Sequence, residues 1–114
     1  VSFRIETPDK TLVVATDREY GDSQLDALFM EFCRGAEVLI HDAQYTPDEH
    51  AIHKGWGHST WEESAHIAAE AGVKSLILTS HAPERSDLEV DQLVERARSI
   101  FPNTRAAAES LVVA

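Results

Sequence analysis

Apolar runs and amphipathic stretches alternate along the chain. Val1 to Ile5 reads as a strand. After the Pro8-Asp9-Lys10 turn, Thr11-Leu12-Val13-Val14-Ala15-Thr16 is β-branched and almost wholly apolar, the pattern of a strand covered on both faces. Ser23 is placed to cap a helix that carries Leu25, Leu28, Phe29 and Phe32 at helical spacing, with Gly35 as its stop. Glu37-Val38-Leu39-Ile40 predicts the next strand, ending at His41-Asp42. Residues 43–58 read as a long polar loop with Pro47, Gly55 and Gly57, and loops of this length in a compact domain are often functional. Ser59-Thr60-Trp61-Glu62 fits a capping box for a second helix, with Trp61, Ala65, Ala68 and Ala69 facing inward and an end near Gly72. Val73 to Thr79 is a further buried strand. Ser86-Asp87-Leu88-Glu89 repeats the capping pattern ahead of Val90, Leu93, Val94 and Ala97, Pro102 stops that helix, and Leu111-Val112-Val113 reads as a last strand.

The resulting β-α-β-α-β-α order predicts an α/β layered fold over residues 1–114. Function in such folds collects where strands run out into loops on one edge of the sheet. Here the strand ends carry Asp17, His41-Asp42 and Ser80-His81, and the long loop delivers His58. Carboxylate and imidazole together suit a divalent metal site that also moves protons. The plainer reading is polar residues meeting solvent at strand ends, and spacings of 16 to 25 residues do not separate the two.

Composition narrows the classes. At 43% hydrophobic residues the chain is globular, not disordered. Its net charge of −10 repels phosphate backbones and predicts no general nucleic-acid surface unless a metal supplies positive charge. Apolar runs of a few residues exclude a membrane-spanning helix. One cysteine, Cys33, and no secretory pattern at the start fit a cytoplasmic location. The chain begins at Val1 directly in a strand, which suggests a piece of a longer protein.

Four segments give these residues a specific setting: Ala15-Thr16-Asp17, Leu39-Ile40-His41-Asp42-Ala43-Gln44-Tyr45, Lys54-Gly55-Trp56-Gly57-His58-Ser59-Thr60 and Leu76-Ile77-Leu78-Thr79-Ser80-His81. Together they resemble the C-terminal half of a metallo-β-lactamase-fold hydrolase, in the branch near ribonuclease Z and bacterial phosphodiesterases. The resemblance implies one half of an αββα sandwich and, in the complete domain, two divalent metal ions: zinc first, with manganese or iron as alternatives. It implies that Asp17 bridges the metals and His81 ligates one of them, although many relatives align their histidine with Ser80. It also implies that Asp42 orients His58, which protonates the leaving group. Carboxylate pairing favours the charged imidazole such a general acid needs.

The family's N-terminal His-x-His-x-Asp-His cluster has no counterpart here, so the chain alone should be inactive. Ser59, at the start of a helix whose free N–H groups attract anions, and Lys54 are candidate contacts for a phosphodiester or other small anionic substrate. Arg85 is a weaker candidate of the same kind. His41 reads as a packing neighbour of the site, His50 and His53 as solvated loop residues, His66 as a surface residue and Cys33 as an inert thiol. Trp56 either walls a pocket or anchors its loop by burial. A thioester or lactone hydrolase on the same scaffold, and a non-catalytic half-domain that binds a partner or pairs with itself, are the competing functions.

Overall fold

The structure, a computed structural model, describes residues 2–16, 19–79, 81–82 and 84–107. Five strands form one sheet in chain order: β1 (Ser2–Glu6), β2 (Thr11–Ala15), β3 (Val38–Asp42), β4 (Ser75–Thr79) and β5 (Thr104–Ala106). β1 and β2 make an antiparallel hairpin, and β2 to β5 run parallel. Each parallel step needs a crossover, supplied in turn by α1 (Ser23–Cys33), α3 (Trp61–Ala71) and α4 (Asp87–Arg98), while α2 (Pro47–Ile52) interrupts the connection from β3 to α3. Right-handed crossovers between sequential neighbours put all three long helices on one face of the sheet. α3 accordingly packs between α1 and α4. The α/β fold read from the alternating pattern is the fold that forms.

Period-two alternation divides the strand residues. Val13, Ala15, Leu39, Leu76 and Leu78 point into the helical layer and join Phe29, Cys33, Ala65, Ala68, Leu93, Val94 and Ala97 in the core. The other parity is equally apolar. Phe3, Val14, Ile40 and Ile77 share one register row across four strands, and Ile5, Leu12 and Val38 share another. Phe3 is 58% and Ile5 49% exposed. The sheet thus carries apolar side chains on both faces and long helices on one.

Several local expectations are corrected. The 43–58 segment is not all loop, because Thr46 and Glu49 form a capping box around Pro47 and start α2. Pro at the first helical turn loses no hydrogen bond. Asp22, not Ser23, caps α1, its carboxylate accepting the N–H groups of Gln24 and Leu25. Leu25 and Leu28 stay exposed, because α1 turns Phe29 and Cys33 into the core and packs Met30 and Phe32 against it. The α3 box is Thr60 with Glu63, one residue later than the Ser59 box expected, and Ser64 and Ala71 turn inward where Ala69 was expected. The Ser86–Glu89 box of α4 forms as read. The last described strand is Thr104–Ala106, and residues 111–113 lie outside the described residues.

Thr60 holds α3 in place below the site. Thr60→Ala should cost about 1 kcal/mol, the usual value of an N-cap hydroxyl. Urea unfolding that shows no loss of midpoint would contradict that role.

Candidate active site

β3 ends with two polar residues that are both fully buried, His41 and Asp42. Alternation sends them to opposite faces. His41 points into the helical layer, where its ring stacks on Tyr20 and meets Phe29 edge-on. Its Nδ1 lies 2.8 Å from the Asp42 carbonyl, which only accepts, so Nδ1 carries the proton and Nε2 accepts from the Tyr20 hydroxyl at 2.6 Å. Ser64 Oγ adds a bond to the same carbonyl. His41 thus locks the end of β3 by hydrogen bonds, as its reading as a packing neighbour expects.

Asp42 faces the other way, toward the loop that precedes α3. His58 Nδ1 donates to Asp42 Oδ2 at 2.7 Å, and the Gln44 N–H donates to Oδ1 at 3.0 Å. Burial raises the Asp42 carboxyl above the ordinary range, against the opposing pull of His58 and of the Gln44 and Ser59 N–H groups. The aspartate side chain is wholly enclosed, while that of His58 is 21% exposed. With Nδ1 committed to the carboxylate, chemistry at this imidazole falls to Nε2.

The loop carrying His58 is tied from two sides that were not anticipated. Glu19, four residues beyond β2, accepts the Gly55 N–H at 2.7 Å and the Gly57 N–H at 2.8 Å. Both glycines have φ near +90°, a backbone state other residues adopt at a cost. Burial would raise the Glu19 carboxyl, but the Gly57 and Gly55 amides and the nearby His50 bring it below its usual value. On the far side, Tyr45 stacks on His53 with ring centroids 5.0 Å apart and meets His58 edge-on at 5.9 Å. No sequence signal pointed to Glu19, because its partners are backbone amides 36 and 38 residues away.

Of the other candidates, Arg85 is structural. Its guanidinium is nearly buried and donates to the Gln44 carbonyl at 2.9 Å and to Glu49 at 2.6 Å, tying the segment after β4 to α2. Lys54 is exposed on the loop, and Ser59 is buried beside Asp42. His50 and His53, expected as solvated loop residues, are half-buried: His53 Nδ1 donates to the Glu49 carbonyl at 2.9 Å and His50 Nε2 lies 3.5 Å from Glu19, while His66 is exposed. Cys33 is buried in the core.

Asp17 and Ser80 lie outside the described residues. His81, two residues past β4, is half-buried, and neither ring nitrogen makes a hydrogen bond of normal geometry. Burial and then the Arg85 charge push its pKa below that of a free histidine, while Asp42 pulls the other way, so the two are within electrostatic reach. A half-buried imidazole whose nitrogens have no hydrogen-bond partner of normal geometry can offer one of them to a metal ion. His81 therefore fits a metal, although no group of three donors is assembled among the described residues.

Residues 1–81 match the family described as Beta-lactamase superfamily domain. The chain is 38% identical over 91 residues to the ribonuclease Z of Brevibacillus brevis, and 35% identical over 102 residues to that of Geobacillus kaustophilus. These matches cover 76% and 90% of this chain but 29% and 32% of the relatives, so the chain spans about a third of their length. Among solved structures, the metallo-β-lactamase fold protein YhfI from Bacillus subtilis superposes with a TM-score of 0.75 at 30% identity, over 93% of this chain and 40% of that one. Human tRNase Z, short form, shares the fold with a TM-score of 0.69 at 20% identity, over 99% of this chain and 37% of that one.

These relatives overturn one expectation. The charge of −10 predicted no general nucleic-acid surface, yet the similar proteins are named as ribonucleases. A net charge sums over the chain, whereas contact with a phosphate backbone depends on the local distribution of charge. No helix among the described residues is long and apolar enough to cross a membrane. With the family match over residues 1–81 and the shared sheet-and-helix layer, the chain belongs to the beta-lactamase superfamily.

Proposed function

We propose that the natural protein is a metal-dependent phosphodiesterase acting on RNA, to which this chain contributes the proton-transfer pair and part of the metal site. The observation that carries the reading is the Asp42–His58 pair: a fully buried carboxylate 2.7 Å from an imidazole that retains exposure, at the carboxyl edge of the sheet. The similarity to proteins named ribonuclease Z supplies the substrate class. Asp42 holds the ring with Nδ1 inward and stabilises its charged form, and His58 Nε2 gives its proton to the departing ribose oxygen. Asp17 and His81 would hold divalent metal, zinc before manganese or iron. When bound, such ions supply an activated water and neutralise charge on the phosphoryl group. Tyr45 and Glu19 keep His58 in place through its loop.

Metal content and RNA cleavage by the full-length protein test this together. Asp17→Ala and His81→Ala should both lose metal and activity in parallel, since each removes a donor. A wild-type enzyme that keeps its turnover after exhaustive chelation, or an Asp17→Ala variant with full metal content, would defeat the proposal.

A further inference from the structure

Trp56 is 67% exposed, so it does not anchor its loop by burial. Its position is nevertheless fixed. The glycines on either side of it are the two whose amides Glu19 accepts, at 2.7 and 2.8 Å, and its own N–H donates to the His53 carbonyl at 3.1 Å. The indole packs edge-on against the His53 ring at 4.4 Å, and His53 stacks on Tyr45, which touches His58. The loop therefore spends three backbone hydrogen bonds and two left-handed glycines on holding a large aromatic ring in water, two residues from the candidate acid. A ring held exposed at a fixed place beside the site gains from burial when a planar group covers its face.

Trp56 also borders a depression of roughly 210 Å³ with Gln44, Tyr45, His53 and Ala82, rimmed by Glu49 and Glu84. Glu84 there, and the oxygen of Glu49 that Arg85 does not hold, are acceptors for the amino groups of a base, and Glu84 disfavours a phosphate. Accordingly, we propose that Trp56 is a stacking platform for an unpaired nucleobase next to the scissile phosphodiester, an inference that rests on the RNA-cleaving function proposed above. Bases unstacked from their neighbours are commonly received by aromatic faces, and the contact tolerates any base because each has a π-face.

The test uses the full-length protein and a single-stranded RNA, uncleavable because a methylene group replaces the leaving bridging oxygen at the cleavage position, with a matched strand abasic around that position. The readout is the difference in emission between wild type and Trp56→Phe, which isolates Trp56 from Trp61, 8% exposed, and from any further tryptophan. The intact strand should quench that emission and shield it from acrylamide, and the abasic strand should do neither. For cleavable RNA, Trp56→Ala should raise KM about 5- to 100-fold with little change in kcat, the range expected for one base–aromatic stack. Trp56→Phe should recover most of that loss, and on abasic RNA Trp56→Ala and wild type should be equal. Glu19→Gln, with one side-chain oxygen for two amides, should raise KM by a smaller factor. Equal quenching by the two strands, an acrylamide-inaccessible Trp56 in the free protein, or an unchanged KM in Trp56→Ala would overturn the platform. Loss of the proposed function is read separately: a wild type that cleaves no RNA defeats that function, whereas the quenching comparison needs no turnover.

Discussion

His58→Ala in the full-length protein should keep its metals and lose about 10²–10⁴-fold in the rate of RNA cleavage, the range for removal of a positioned general acid. The ring is committed through Nδ1 to a fully buried carboxylate, which leaves Nε2 for the proton-donor role proposed above. A departing ribose alkoxide is a strong base and gains much from protonation. A p-nitrophenolate leaves readily without a proton. The defect should therefore shrink sharply on a p-nitrophenyl phosphodiester, and this dependence on the leaving group separates lost acid catalysis from a misfolded or metal-poor site. Measured metal content accompanies the two rates. If His58→Ala loses metal as Asp17→Ala does, His58 is a ligand and the assignment of roles is wrong.

The pieces of this site differed in how far the sequence revealed them. Strands β2, β3 and β4 were legible because buried parallel strands are short β-branched runs between turn residues, a pattern little else produces. Their ends then named Asp42 and His81 without any contact information. The α2 helix was missed because six residues are too few for helical periodicity to appear, and Pro47 and Gly55 bracket the segment like a loop. Glu19 and Tyr45 were missed for a different reason. Glu19 acts through backbone amides 36 and 38 residues away, and Tyr45 through ring faces, neither of which leaves a spacing in the sequence. Trp56 was visible as a residue, but its exposure depends on the Glu19 clamp and could not be read without it. The charge argument failed where it averaged, since a sum over 114 residues is silent on one edge of a sheet.

Asp42→Asn separates the two demands placed on that carboxylate. The asparagine can keep the Gln44 N–H bond through its oxygen, but it then turns an amide toward His58 Nδ1 and can no longer stabilise a charged ring. Activity should fall about 10–100-fold, the usual cost of losing the partner that orients a side chain at a metal site, and so less than in His58→Ala. Stability should respond in the opposite sense as pH rises. Burial raises the Asp42 carboxyl in the folded state above its unfolded value near 4. Between those two values the folded chain binds more protons than the unfolded one, so the fold is favoured at low pH and loses that advantage as pH rises through the folded pKa. The asparagine does not titrate, and its variant should lack that loss. Urea midpoints of wild type and Asp42→Asn, taken from pH 4 to pH 8, should therefore diverge, the variant gaining relative to wild type as pH increases. Parallel profiles would mean that the fold does not disfavour the ionised aspartate, and a variant with wild-type activity would mean that His58 needs no carboxylate to act.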